Sequence, residues 1–187
     1  MYRIVKKHIV RLLVLLSIMG LSLVPTVAMV DNDNGPDLPA QCSSIAAPYG
    51  TKLAYHTYAT GVQIYRWNGI SWDFVAPRAS LYAEPKFFGE VGVHYAGPTW
   101  ESKSGSKFKG VRVLGTGCTP DTSAIAWLLL ERVDSSGPGL FEAIVNVQRV
   151  NTTGGLAPAY AGSSVGTVVE IPYTAEYYFY RADQAAN

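Results

Sequence analysis

The sequence has few of the side chains that bind metals or carry out covalent catalysis. It contains three histidines and two cysteines in 187 residues, with no Cys-x-x-Cys pair. Structural zinc sites need four such ligands, mostly at short spacings, so we expect no metal site and no cofactor. The chain also has no Gly-x-Gly-x-x-Gly that follows a strand and opens a helix, which argues against a dinucleotide-binding fold.

The N-terminus is basic and is followed by an uncharged apolar run. Residues 1–11 carry four basic side chains and no acidic one, and the apolar run ends near the small residues Thr26-Val27-Ala28. This pattern predicts a signal peptide over residues 1–28, removed before Met29. The alternative is an uncleaved anchor, because the uncharged stretch 12–30 is just long enough to cross a bilayer.

The mature chain is expected to be mildly acidic. Cleavage removes four of the 15 basic residues and none of the 14 acidic ones, which leaves a net charge of −3. A nucleic-acid partner is therefore not expected. The leader predicts a secreted or extracytoplasmic location, in the periplasm or at the cell surface, with no membrane contact after cleavage.

The two cysteines lie far apart in the sequence. Cys42 and Cys118 would meet an oxidising compartment after export, so a disulfide is chemically allowed. Sequence alone does not show whether they are close enough to pair, and both outcomes stay open at this point.

Turn-forming composition and alternation divide the mature chain. Residues 29–46 are rich in Asp, Asn, Pro and Ser and are expected to form an extended lead-in that is open to disorder. Residues 47–181 read as one domain, and residues 182–187 as a polar tail.

Hydrophobic residues in the domain alternate with period two. In YTAEYYFY, Tyr173, Ala175, Tyr177 and Phe179 share one face, and FEAIVNVQRV alternates similarly except at Ile144. The run IAWLLLERV is interpreted as a buried strand. YRWNGISWDF predicts a hairpin with a type I′ turn at Asn68-Gly69. Together these patterns predict an all-β fold, a single antiparallel β-sandwich or a closely related β-barrel, with few or no helices.

Several segments carry a family resemblance. GVQIYRW, WDFVAPRASL, GVHYAGPTWESKSGSKFKG, VQRVNTTGG and IPYTAEYYFYR occur in an order that resembles the secreted bacterial and fungal domain of unknown function 3455, over roughly residues 47–181. The resemblance implies export and one compact domain, and no activity. Members usually carry a cysteine where this chain has Trp67 and another where it has Ala159-Tyr160-Ala161-Gly162, so the disulfide that the family implies is not transferred.

The segment HYAGPTWESKSGSKFKG could hold a site or the rim of a sheet. His94 and Glu101 are predicted to lie at neighbouring strand ends, where they could meet as a base and its orienting partner. No Gly-x-Ser-x-Gly elbow lies near them in the sequence to supply a nucleophile. The structural alternative, which we favour, is a His94 bonded to a backbone carbonyl, a buried Trp100 and a more exposed Glu101.

A second polar group ends the strand QRVNTTGG. Arg149 shares the parity of the inward valines and would need an acidic or carbonyl partner, for which Glu101, Glu131 and Glu176 are candidates. Asn151 also begins an Asn-x-Thr acceptor for glycosylation, which matters only in a eukaryotic host.

Two functions follow from these residues. The first is an exported protein that binds a surface ligand, such as a glycan or a cell-wall component, through Trp100, Glu101, Arg149, Asn151 and Tyr178. The alternative is an extracytoplasmic hydrolase that uses His94 and Glu101. Binding is favoured over catalysis.

Overall fold

Eight antiparallel strands form a closed barrel in the computed structural model, which describes residues 35–183. The strands are β1 (Thr51–Trp67), β2 (Trp72–Tyr82), β3 (Glu90–Tyr95), β4 (Thr99–Ser102), β5 (Lys107–Arg112), β6 (Leu128–Ser136), β7 (Ile144–Gly154) and β8 (Val168–Ala182). The predicted signal peptide and residues 184–187 of the predicted tail lie outside the described residues. No helix within residues 35–183 is long and apolar enough to cross a membrane.

The all-β prediction is confirmed, and the barrel is the alternative that forms. Each strand pairs with its neighbour in sequence, and β1 closes the barrel by pairing with β8 from Thr51↔Ala182 to Arg66↔Val168. Closure gives every strand a hydrogen-bonded neighbour on both sides, although parts of β2 and β6 are paired on one side only. The run interpreted as a buried strand contributes β6 from Leu128 onward.

The predicted inner face of β8 lines the core. Tyr173, Ala175, Tyr177 and Phe179 are all buried and belong to one apolar cluster inside the barrel. The alternation works because successive side chains on a strand point to opposite faces, and only one face is enclosed.

A β-bulge explains the exception at Ile144. The pairing of β7 with β8 shifts register between Ile144 and Asn146, so one extra residue is inserted there. Ile144 and Val147 therefore both enter the interior cluster, while Asn146 lies on the other face, paired with Tyr180.

The predicted hairpin forms, but its predicted turn type is wrong. Trp67 pairs with Trp72, which leaves a four-residue loop rather than a two-residue turn. Gly69 has a φ of 103°, and Asn68 is not among the residues with positive φ. Instead, Asn68 Oδ1 accepts hydrogen bonds from the backbone N–H groups of Ile70 and Ser71, at 2.9 and 2.8 Å. The Asn68 side chain thus closes the loop by hydrogen bonding, so Asn68 does not need the positive φ angle of a type I′ turn.

The lead-in is ordered over its described part, contrary to the expectation of an extended segment. Residues Ala40–Ile45 form a 3₁₀ helix, and Cys42 and Ile45 are fully buried. Cys42 is bonded to Cys118 by a disulfide that spans 76 residues of sequence. Gln148 Nε2 also donates to the carbonyl of Ile45 at 2.5 Å.

This segment creates a second core outside the barrel wall. The buried members are Cys42, Ile45, Cys118, Trp127, Leu129 and Val150. Outward residues of β6 and β7 are therefore covered, which explains why polar Gln148 is only 1% exposed and bonds both Ile45 and the hydroxyl of Tyr180. An unpaired amide at this depth would be costly.

The two positions at which the resemblance implies cysteines, Trp67 and the segment 159–162, lie together. A Cβ built on Gly162 would lie 2.5 Å from Cγ of Trp67. The indole of neighbouring Trp72 donates to the carbonyl of Tyr160 at 2.8 Å. Tryptophan packing, this bond and two backbone bonds of Trp67, with Thr167 and Gly166, thus join the hairpin to the loop without a covalent bridge.

Candidate functional site

The barrel contains a cavity of about 400 Å³ that is partly open to solvent. Apolar side chains of several strands and loops form much of its wall, among them Phe74, Val75, Ile125, Leu128, Leu130 and Leu156. Phe74, Val75 and Leu156 are also partly open to solvent, at 55%, 47% and 42% exposure. The cavity therefore has an apolar rim, as binding sites for small molecules commonly do.

His94 and Trp100 lie side by side in the cavity wall. They are paired across β3 and β4, are only 3% and 1% exposed, and their rings stack with centroids 4.2 Å apart. His94 Nδ1 is 2.9 Å from the carbonyl of Thr99, an arrangement in which Nδ1–H donates and Nε2 keeps a lone pair. Burial lowers the pKa of His94 to about 3, so the imidazole is neutral.

Two buried donors in the cavity wall have no hydrogen-bond partner. Gln63 Nε2 and Trp100 Nε1 both lack one, and the two residues are 2% and 1% exposed. A buried polar group without a partner costs about 1–3 kcal/mol, and such groups are uncommon in native proteins. Gln63 was not among the predicted site residues, although it alternates with Tyr65 on β1 and so shares its inward face.

Arg149 also lines the cavity, and its partner is a carbonyl rather than one of the predicted glutamates. Its Nε and Nη2 donate to the carbonyl oxygen of Ala126 at 3.1 and 2.7 Å. On β7 it is paired with Tyr177 of β8, whose ring is part of the same wall. The alternation along β7 predicted that Arg149 points inward, and the structure agrees.

Glu101 does not meet His94, so the predicted base-and-partner arrangement is absent. His94 is paired with Trp100, and Glu101 is the next residue, paired with Val93. Successive side chains on a strand face opposite ways, which places His94 inside the barrel and Glu101 outside.

On the outside, Glu101 takes part in a small surface network. It accepts a hydrogen bond from the hydroxyl of Tyr95 at 2.8 Å and lies 3.3 Å from Lys107 Nζ. The bond from Tyr95, with help from Lys107, lowers the pKa of the Glu101 carboxyl. The carboxylate is therefore held ionised on the surface, away from the neutral imidazole.

Asn151 and Tyr178 lie together on the outer face, around Glu176. Asn151 Nδ2 donates to Glu176 Oε1 at 3.0 Å, and the Tyr178 hydroxyl donates to Oε2 at 3.1 Å. His56 Nε2 is 2.8 Å from Oε2, and its ring stacks on Tyr178 with centroids 4.0 Å apart. These bonds, led by the one from His56, lower the pKa of Glu176. Each of these three side chains bonds the Glu176 carboxylate, so the cluster is internally satisfied.

The five predicted ligand-binding residues therefore separate into two groups. Trp100 and Arg149 line the cavity, whereas Glu101, Asn151 and Tyr178 lie on the outer face of the wall. They do not form one surface platform, and Trp100 is too deeply buried to act as an exposed stacking surface.

One Gly-x-Ser-x-Gly match exists, at residues 162–166, but its context is not a nucleophile elbow. Such an elbow requires a sharp turn from a strand into a helix. Here the segment is a loop that leads into β8, and Ser164 Oγ lies 3.3 Å from Thr167 Oγ1. Among residues 35–183, no group of three or more His, Cys, Asp or Glu side chains could hold a metal ion.

Comparison with known proteins identifies one family. A family model described as "Protein of unknown function (DUF3455)" matches residues 48–181, which include all eight strands but for the last residue of β8. No curated protein and no solved structure matches the chain.

Proposed function

The chain belongs to the DUF3455 family of proteins of unknown function, and we propose that it binds one small, largely apolar molecule inside its barrel. The observation that carries the proposal is the cavity itself, about 400 Å³ of open space with a mainly apolar lining. Gln63 and Trp100 belong to that lining, and each also carries a buried donor without a hydrogen-bond partner.

The size and lining of the cavity support a small organic ligand. Eight-stranded barrels either fill with side chains or enclose one small ligand. This interior leaves about 400 Å³ open, within the range of roughly 300–1,000 Å³ that is usual for ligand pockets. Its mixture of apolar wall and a few polar groups is the usual composition of such pockets.

We propose that binding takes place outside the cytoplasm. The basic and apolar N-terminal pattern is typical of an export signal. The disulfide between Cys42 and Cys118 supports this, because such bonds persist mainly in oxidising compartments.

Fluorescence titration of the mature protein with N-phenyl-1-naphthylamine tests the proposal. This neutral dye brightens in apolar surroundings, and we expect saturable binding with one dye per chain. The Leu128→Trp variant should abolish it, because Leu128 lines the cavity and a larger ring there would occupy the space.

Val133→Trp is the matched control, since Val133 lies on the same strand and is 56% exposed. Dye binding that survives Leu128→Trp, or that is lost equally in both variants, would contradict binding inside the barrel. Absence of saturable binding in the wild type would also count against the proposal.

A surface glycan is the second candidate, and a different place on the barrel favours it. A shallow groove at the end of the β1–β2 hairpin is lined by Trp67, Trp72 and Tyr160, the last of which is 67% exposed. Aromatic rings with a polar atom suit sites that are partly apolar and partly wet. Retention on immobilised cell-wall polysaccharide that Tyr160→Ala removes, and Leu128→Trp does not, would favour this function over the first.

A further inference from the structure

Arg149 brings a positive charge to the cavity without a carboxylate to balance it. No Asp or Glu is among the residues that line the cavity. Within residues 35–183 the ion pairs do not include Arg149, whose Nε and Nη2 are directed at a single neutral carbonyl. Charges removed from water are normally paired, because the penalty for desolvating them is otherwise large.

The other titratable groups in the wall do not supply the missing negative charge. His94 is neutral, since burial, and to a smaller degree the charge of Arg149, lowers its pKa to about 3. Burial raises the pKa of Tyr177, so its hydroxyl stays protonated. Arg112 lines the rim as well, but it is exposed and donates to the carbonyl of Thr116.

We infer that the ligand is a monocarboxylate with an apolar body, whose carboxylate is held by Arg149. This inference rests on the proposed function. The arginine fork matches a carboxylate geometrically, and charge-assisted hydrogen bonds are roughly twice as strong as neutral ones. The guanidinium only donates, so it complements a head group that only accepts hydrogen bonds.

The balance of charge and apolar area points to a singly charged ligand. Within the cavity one interior arginine faces no carboxylate, so one negative charge neutralises it. A phosphate dianion would need a second cation, and the other arginine of the lining, Arg112, is exposed and donates to the carbonyl of Thr116 instead. A long neutral lipid would pack well against the apolar wall but would leave the positive charge of Arg149 unbalanced.

The test compares an acid with an alcohol of the same chain length. Displacement of N-phenyl-1-naphthylamine by decanoate and by decan-1-ol is measured at pH 7.5 and low salt. We expect the wild type to bind decanoate at least tenfold more tightly than decanol. Arg149→Gln should remove this preference while decanol binds about as before, because the apolar wall is unchanged.

Arg132→Gln provides the control for loss of one positive charge. Arg132 is exposed and bonds the carbonyl of Glu142 on the outside, so this variant should keep the full preference for decanoate. Should Arg149→Gln fail to fold, the wild type alone still tests the inference. Its preference for decanoate over decanol should be at least tenfold at low salt and should decline at high salt.

The possible results separate the two proposals. Equal binding of decanoate and decanol by the wild type would overturn the carboxylate inference and leave the proposed function standing. Failure of the dye itself to bind would overturn the proposed function. A preference for decanoate that persists in Arg149→Gln, or disappears in Arg132→Gln, would show that Arg149 is not the carboxylate site.

Discussion

The imidazole of His94 lies flat against the indole of Trp100, with ring planes 16° apart and centroids at 4.2 Å. Tyr177 meets both rings edge to face, at 5.3 Å from His94 and 5.4 Å from Trp100. Such aromatic contacts contribute about 0.5–1.5 kcal/mol beyond the burial of area. One wall of the cavity is thus an aromatic stack, and its indole N–H is a buried donor without a partner.

Two substitutions of Trp100 should separate its packing from its hydrogen bonding. Trp100→Ala is expected to lower the free energy of unfolding by about 3–5 kcal/mol, because it empties a large buried volume. Trp100→Phe should cost much less, since it keeps a ring in the stack and removes a donor that has no partner.

Urea unfolding of both variants measures the difference, and the dye titration shows whether Trp100→Phe still has an open cavity. Equal decreases in the free energy of unfolding for the two variants would mean that the unpartnered indole N–H does not destabilise the folded state.

The stability of the protein should fall as the pH is lowered below about 6.5, because of His94. Its pKa is about 3 in the folded protein and near the ordinary 6.5 when unfolded. Between these values the unfolded chain binds the extra proton, so the free energy of unfolding falls by up to about 1.4 kcal/mol per pH unit.

Unfolding measured from pH 7 to 5, above the range where carboxyl groups titrate, should reveal this slope. His94→Gln should be less stable at pH 7 yet less sensitive to pH over the same interval. A wild type and a His94→Gln variant with identical slopes would contradict a buried neutral imidazole.

Local alternation predicted some of the fold well and other parts poorly. The inner face of β8 follows directly from Tyr173, Ala175, Tyr177 and Phe179, because one side of the strand is enclosed throughout. The bulge beside Ile144 adds a residue whose placement depends on the partner strand, so no pattern within β7 alone reveals it. Closure of the barrel depends on pairing between β1 and β8, which lie more than 100 residues apart.

The candidate site was harder to predict, because register decides which residues meet. His94 and Glu101 lie on adjacent strands as expected, but the turn between them pairs His94 with Trp100, so Glu101 faces the other way. Parity and residue type identified Arg149 and Trp100 as ligand-binding residues. The sequence assigned them to a surface site, however, whereas the structure places them in the cavity wall. Nothing in the sequence marked Gln63 as a site residue, apart from its position on the inward face of an alternating strand.

The disulfide should contribute strongly to stability. Cys42 and Cys118 close a loop with a sequence separation of 76, worth about 4 kcal/mol on the loop-entropy account. We expect reductant to lower the urea midpoint of the wild type to near that of the Cys42→Ala, Cys118→Ala double variant. The double variant should not respond to reductant. A wild-type midpoint that reductant leaves unchanged would contradict the prediction.

Gly61 should tolerate no side chain, since atoms of β2 occupy the space that its Cβ would need. A Cβ at this position would be 2.2 Å from the carbonyl oxygen of Arg78, a backbone atom that cannot move aside cheaply. Gly61→Ala is expected to cost about 1–3 kcal/mol, as overpacked interiors do. Thr60→Ala, one residue earlier, is the control in thermal unfolding and should cost less. Equal melting temperatures for Gly61→Ala and the wild type would show that the strands can separate there.

The indole N–H resonances of the four tryptophans test the central claim most directly. In a ¹⁵N-labelled mature protein, assigned by means of Trp100→Phe, the Trp100 Nε1–H signal should shift strongly and saturably as decanoate is added. The Trp72 signal should stay in place, because that indole bonds the carbonyl of Tyr160 at the hairpin groove. A Trp100 signal that does not move while decanoate displaces the dye, or shifts confined to Trp67 and Trp72, would contradict binding inside the barrel.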